Sequence, residues 1–184
     1  FAVLNKQDGN LISNNSIPLT QDIFLIDDHR KYYLPTRATL EAVDRSTEET
    51  VWSLRLDDVI LQKPIFSEGI IGVKTNDAPH GKAYLINEVD GSILWESSGD
   101  VTGNIVFDKE LVYFLDQEAY LNILNYHTNE LIGFINFAPP FTELDEVEFF
   151  NRRMYLTVKE NNIYIHFGDS NQLFAFELEA FKTD

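Results

Sequence analysis

The chain has 184 residues, 44% of them hydrophobic, which suffices for one ordinary domain with a real core, and nothing in its composition points to disorder. Cysteine is absent, which excludes a disulfide framework, a thiolate zinc site, an attached c-type haem and a cysteine nucleophile. A formal charge of -16 repels a phosphate backbone, and no run of Lys and Arg forms a basic stripe, so nucleic acid is not an expected partner.

No apolar stretch approaches the roughly 20 residues that span a bilayer, and the N-terminus lacks a charged segment followed by an apolar one, so no membrane insertion is expected. A start at Phe1 rather than Met leads to the expectation of a processed chain or an excised fragment.

In chain order, the first element is a hairpin, VLNKQDGNLIS from Val3, where an alternating apolar strand meets a polar turn and continues as a second short strand. Two short apolar runs follow in IFLIDDHRKYYLPT, from Ile23. The two forms then alternate. The hairpin returns as EAVDRSTEETVW from Glu41, INEVDGSILW from Ile86, ILNYHTNELIGF from Ile123 and HFGDSNQLFAF from His166. Between these lie the paired runs PIFSEGIIGVKT from Pro64, NIVFDKELVYFLD from Asn104 and VEFFNRRMYLTV from Val147. The turn positions Gly9, Glu48, Gly91, Asn129 and Asn171 recur at roughly 38 to 43 residues, inside the window where propeller blades repeat. Gly and Asn suit the left-handed backbone such a turn needs.

Each repeat therefore counts four strands, A to D, and no run has the length and 3.6-residue period of a helix. The expected fold is all-β, a single domain over 1–184: a β-propeller of four-stranded antiparallel blades, about four of them, plus an extra N-terminal strand pair. In the last blade, 147–150 and 154–158 read as strands A and B, and 172–178 as strand D. The two apolar flanks of every blade require neighbours, so a part of a larger propeller or an arc completed by a second copy is expected over a small closed ring.

Two turns carry a more specific pattern. Asp44-Arg45-Ser46-Thr47-Glu48 leads to Trp52, and Asn87-Glu88-Val89-Asp90-Gly91 leads to Trp95; a weaker copy runs from Asn125 through Thr128 and Asn129 to Gly133-Phe134. On these residues the chain resembles the quinoprotein-type (PQQ-like) repeat β-propellers, whose repeat is an apolar strand, Asp, a turn with Thr-Gly and a strand ending in Trp. Each Trp fits as a wedge between blades. Burial of about 150 to 250 Å² per indole is worth on the order of 4 to 6 kcal/mol.

The resemblance implies a fold rather than an activity. A working quinoprotein dehydrogenase would need calcium beside the quinone and a catalytic Asp, and many also carry adjacent cysteines, which are absent here. No residue of this chain takes a family catalytic role, no cofactor is expected, and the DG turns fail as EF-hand loops because Ile86 or Leu4 would occupy the first ligand position. His29, His80, His127 and His166 lie in different repeats without metal-ligand spacing.

Alternating strand direction places the D-to-A and B-to-C connections on one rim. Two enlarged connections fall there: Asn76 to Lys82, in a B-to-C turn, and Phe134 to Phe150, a D-to-A link. Rigid scaffolds present binding loops, so His80, Pro139, Pro140, Phe141, Glu143 and Asp145 are the candidate rim surface. The leading functional reading is a non-catalytic propeller scaffold for protein–protein interaction, similar in this respect to the propeller of bacterial outer-membrane protein assembly. The alternative is part of a quinoprotein oxidoreductase with its cofactor site mostly elsewhere. The expected partner is another protein, or a missing half or homodimer that completes the propeller.

Overall fold

The computed structural model describes residues 2–4, 7–14, 26–27, 31–60, 62–76, 81–116, 118, 120–136, 154–167 and 173–177. Within them all regular structure is strand, and no helix is long and apolar enough to cross a membrane. An N-terminal pair, β1 (Ala2–Leu4) and β2 (Leu11–Asn14), precedes a sheet of β3 (Ile26–Asp27), β4 (Lys31–Thr36), β5 (Thr39–Asp44) and β6 (Thr50–Arg55). The next sheet holds β7 (Ile65–Ser67), β8 (Ile70–Lys74), β9 (Ala83–Asn87) and β10 (Ile93–Glu96). A third holds β11 (Val101–Asp108), β12 (Leu111–Asp116), β13 (Tyr120–Asn125) and β14 (Glu130–Asn136), and a fourth β15 (Met154–Lys159), β16 (Asn162–Phe167) and β17 (Leu173–Glu177). Strands pair antiparallel with their sequence neighbours throughout.

Local chemistry fixes the repeating turn between the third and fourth strands. Asp44, Asn87 and Asn125 each end the third strand, and each Oδ1 accepts the amide two residues on, from Ser46 at 2.7 Å, Val89 at 2.8 Å and His127 at 2.9 Å. Four residues after each comes a left-handed position, Glu48 (φ 59), Gly91 (φ 74) and Asn129 (φ 59). The Ser46 hydroxyl and amide, bonded to Asp44, hold its carboxyl below the ordinary 3.8, as those of Ser92 do for Asp90.

The core lies between sheets. Tyr33, Leu40, Ala42 and Trp52 of the first sheet meet Ile71, Val73, Tyr84 and Ile86 of the second. On the other side of the second sheet, Ile70, Ala83 and Leu85 meet Val112, Phe114 and Leu124 of the third. Tyr113, Leu115 and Leu121 then face Met154, Leu156, Ile163 and Ile165. This is why β8, IIGVK, is buried at every residue instead of alternating: both its faces are covered. The second and third sheets thus stack as blades do, and the all-β propeller architecture read from the repeat is the one observed.

The first strands of the sheets adjoin: β11 packs beside β7 and β8 on one side and β15 on the other. Asn104 of β11 clasps the backbone of Leu156 in β15. This corrects the strand assignment expected for the last blade. Among the described residues the strand beside β11 is 154–159, and 173–177 is the third strand of its sheet, where the fourth was expected; 147–150 lies outside the described residues. The turn responsible is Glu160-Asn161, both left-handed (φ 50 and 67), a tight hairpin with no glycine to mark it.

Two consequences are measurable. A Cβ on Gly91 would stand 2.6 Å from Cδ2 of Trp52 at a φ of +74, so Gly91→Ala combines a left-handed strain with a clash. A loss of about 1 to 3 kcal/mol in urea unfolding is expected. Burial, with Asp108 adding to it, pushes the Tyr113 hydroxyl up to about 12, and burial with a hydrogen bond to Asp57 raises that of Tyr84 as well. Both groups fold with a raised pKa, so their stabilisation is full below the ordinary 10.0 and is lost as pH rises. The thermal midpoint should fall from pH 10 towards about 12, and the fall should be shallower in Tyr113→Phe.

Candidate functional site

The candidate rim residues His80, Pro139, Pro140, Phe141, Glu143 and Asp145 lie outside the described residues. Around the first of them the chain is anchored. Thr75 N–H donates to the Lys82 carbonyl at 3.0 Å, Lys82 N–H donates to Thr75 Oγ1 at 3.1 Å, and the buried Lys74 Nζ donates to the Asn76 carbonyl at 2.9 Å. Lys82 Nζ is paired with Glu96, and the hydrogen bond it donates to that carboxylate raises the Lys82 pKa.

On the rim formed by the D-to-A and B-to-C connections, the described residues form a cleft of about 370 Å³ between the second and third sheets. Its floor is apolar: Trp95, Phe114, Leu124 and Leu131, with the Trp95 and Phe114 rings 5.2 Å apart. At the end of the D-to-A and B-to-C connections it carries Glu96, Asp100, Asp116 and Glu118, and Asn122 and, towards the other end, Asn129 complete the polar lining. Asp116 is committed to the local turn, since Oδ1 accepts the amides of Glu118 and Tyr120, each at 2.9 Å, and Oδ2 accepts Asn122 Nδ2 at 2.9 Å. Ser97, also in the wall, donates to the Gly99 carbonyl at 2.7 Å and accepts the Ala83 amide at 3.1 Å. The polar lining is therefore prearranged, and the cleft suits an apolar group with positive charge beside it.

The two tryptophans explain where the cleft opens. Trp52 is 9% exposed; its indole closes onto Gly91 of the next sheet, and Nε1 donates to the Glu88 carbonyl at 3.0 Å. Lys31 Nζ reaches the same carbonyl at 3.1 Å, and Tyr33 donates to Glu88 Oε1 at 3.0 Å. One junction later, Asn129 holds the place of Gly91 and Trp95 is only partly buried, on the cleft floor. There the latch, on the same rim of first-to-second and third-to-fourth strand turns, is Tyr126, which donates to the Lys109 carbonyl at 2.7 Å and lies 3.2 Å from Ser67 Oγ. Sequence reading treated both tryptophans as equal wedges, and the cleft residues were not singled out. The Gly91-to-Asn129 change between copies was the available signal.

His127 Nε2 lies 3.4 Å from Glu68 Oε2 on the surface, and the His166 ring is stacked on Tyr155 at 6.1 Å. His29 and His80 lie outside the described residues. Within the described residues no three His, Cys, Asp or Glu side chains converge as a metal ion would require.

Stacked antiparallel sheets, Asx-closed turns and the Trp52 wedge define a β-propeller of PQQ-like repeats. The chain belongs to the family of the outer membrane protein assembly factor BamB, whose sequence profile matches residues 2–180. Among solved structures it is similar to BamB from Moraxella catarrhalis, with a TM-score of 0.60 and 16% identity over 86% of this chain and 46% of that one. The chain thus spans about half the length of that relative. It is also similar to two computationally designed proteins, Ika4 (TM-score 0.63, 13% identity, 87% of this chain and 93% of that one) and Ika8 (TM-score 0.58, 12% identity, 84% and 45%). No curated protein matches the chain. At these identities the likeness is one of fold.

Proposed function

We propose that the chain is a non-catalytic PQQ-repeat scaffold for protein–protein interaction, and that its partners engage the rim of the D-to-A and B-to-C connections. The observation that carries this reading is membership in a family described as a protein assembly factor. The cleft on that rim, apolar below and anionic above, supports it: such a site offers shape and charge to a partner rather than a reacting group. The candidate residues His80, Glu143 and Asp145 belong by their sequence position to the same rim. Affinity capture from native extract by the full chain, compared with the triple variant His80→Ala, Glu143→Gln, Asp145→Asn, tests the assignment. Loss of partners in the variant is the expected result. Identical partners would remove these residues from the site, and no partner for the unaltered chain would remove the scaffold reading.

A second reading concerns completion of the propeller. On the far side of the last sheet Tyr155 is 50% and Leu173 64% exposed, in a fold whose inner sheets are covered on both faces. A further sheet, from a longer chain or from a second copy, is proposed to cover this face. Sedimentation should detect self-association that Leu173→Glu abolishes when the cover is a second copy; a monomer under all conditions assigns the cover to a longer chain.

A further inference from the structure

The fourth strands of successive sheets differ in length. β6 has six residues and packs ahead of a four-residue β10, but β10 is followed by a seven-residue β14. At about 3.3 Å per residue, roughly 13 Å of strand faces roughly 23 Å. The outer part of the third sheet is therefore bare on the side facing the second.

The residues there are apolar. Leu131 and Phe134 stand opposite Leu124 and Asn122 in the β13–β14 ladder, and Leu131, Leu124 and Asn122 all line the cleft, so Leu131 and Phe134 share its face. Leu131 is 53% and Phe134 64% exposed, the latter resting edge-on against Tyr120 at 5.5 Å. An apolar stripe thus runs from the Trp95–Phe114 floor out to the sheet edge. β10, which borders it, is the outermost strand of its own sheet, and an edge strand offers amide and carbonyl groups to an incoming chain. Asp100 and Glu118 line the cleft beside the stripe, together with Glu96, which Lys82 already pairs, on a chain of net charge -16.

From this geometry we infer that the groove between β10 and β14 docks an extended partner segment with alternating apolar side chains flanked by Lys or Arg. The segment lies along β10 as a fifth strand of the second sheet and sets its apolar side chains on Leu131 and Phe134. Its cationic flanks meet the carboxylates at the mouth. This rests on the scaffold reading above and gives it a binding mode.

The test uses the full chain and three labelled peptides: Lys-Lys-Val-Thr-Val-Thr-Val-Lys-Lys, the same core flanked by Glu, and a Lys-flanked core with Ser for Val. The first should bind at least tenfold more tightly than the other two, and Phe134→Glu and Leu131→Glu should each weaken it at least tenfold. Val51→Glu, an exposed change on another sheet, should leave binding and thermal midpoint unaltered. Both groove side chains are exposed, so the variants should melt with the unaltered chain; Leu131→Ser repeats the test with a smaller change. Absence of binding, equal binding of the Glu-flanked peptide, or unaltered binding by Phe134→Glu overturns the inference. So does a dimer that Phe134→Glu dissociates, which would make a second copy the occupant. Partner capture from extract that survives Phe134→Glu refutes the groove as the partner site while leaving the scaffold in place.

Discussion

Replacing Trp52 by Ala should lower the thermal midpoint by roughly 10 °C, the largest single-residue loss expected for this chain. The indole sits between the first two sheets, 6.0 Å from the Tyr33 ring and in contact with the backbone at Gly91. Truncation opens a cavity between the Tyr33 ring and the Glu88–Gly91 turn, and the bonds from Lys31 and Tyr33 to Glu88 keep that turn from collapsing into it. Aromatic-to-alanine changes in such sites cost about 3 to 5 kcal/mol, and in a domain of this size each kcal/mol shifts the midpoint by about 2 to 4 °C. The lost Nε1 bond adds little, because the Glu88 carbonyl keeps Lys31 Nζ as a donor. Trp52→Phe should therefore retain most of the stability, at a cost of about 1 to 2 kcal/mol. Trp95→Ala is the informative comparison. Its indole is half-covered at the cleft floor, and truncation there enlarges an opening that water already enters, so about 1 to 2 kcal/mol is expected. Equal losses at the two positions would show that Gly91 and Asn129 do not distinguish the two junctions.

That contrast also marks how much the sequence discloses. The recurring turns were legible because their chemistry is local: an Asx side chain at Asp44, Asn87 or Asn125 bonds its own following backbone, and a left-handed residue must come four places later. The period followed from the turns, and the propeller from the period. The rim was legible too, since strand parity alone sorts connections to one end or the other. The last hairpin was misplaced because Glu160 carries a left-handed φ that Glu adopts uncommonly, while Asn151-Arg152-Arg153 offered a polar cluster of the kind that usually marks a turn. The cleft was not legible for a different reason. It arises from a mismatch between β10 and β14 and from the exchange of Gly for Asn between two repeats, and neither has meaning until the sheets are stacked. The residues chosen from loop enlargement, His80 and those from Pro139 to Asp145, answered a question about where insertions fall, not about which faces are left bare.

Asn104→Ala should cost about 2 to 5 kcal/mol and should release the last sheet before the others. β11 is irregular between Thr102 and Val106, and Gly103, with φ +72, brings the chain so close to β15 that a Cβ there would lie 2.9 Å from the Met154 carbonyl oxygen. This bend aims the Asn104 amide across the junction. Its Oδ1 accepts the Leu156 N–H at 2.6 Å and its Nδ2 donates to the Leu156 carbonyl at 2.9 Å, so one side chain acts as a rung of sheet between strands of different sheets. Leu156 is buried, and alanine at 104 leaves both of its backbone groups without a partner, at about 1 to 3 kcal/mol each. Asn104→Asp keeps the acceptor and loses the donor, so about half the effect is expected. Hydrogen exchange separates this clamp from a general loss of stability. In Asn104→Ala the Leu156 amide should lose protection along with those of β15 to β17, under conditions where β8 and β9 remain protected. Uniform loss across all sheets would mean that the stack unfolds as one unit and that the clamp contributes only to its sum.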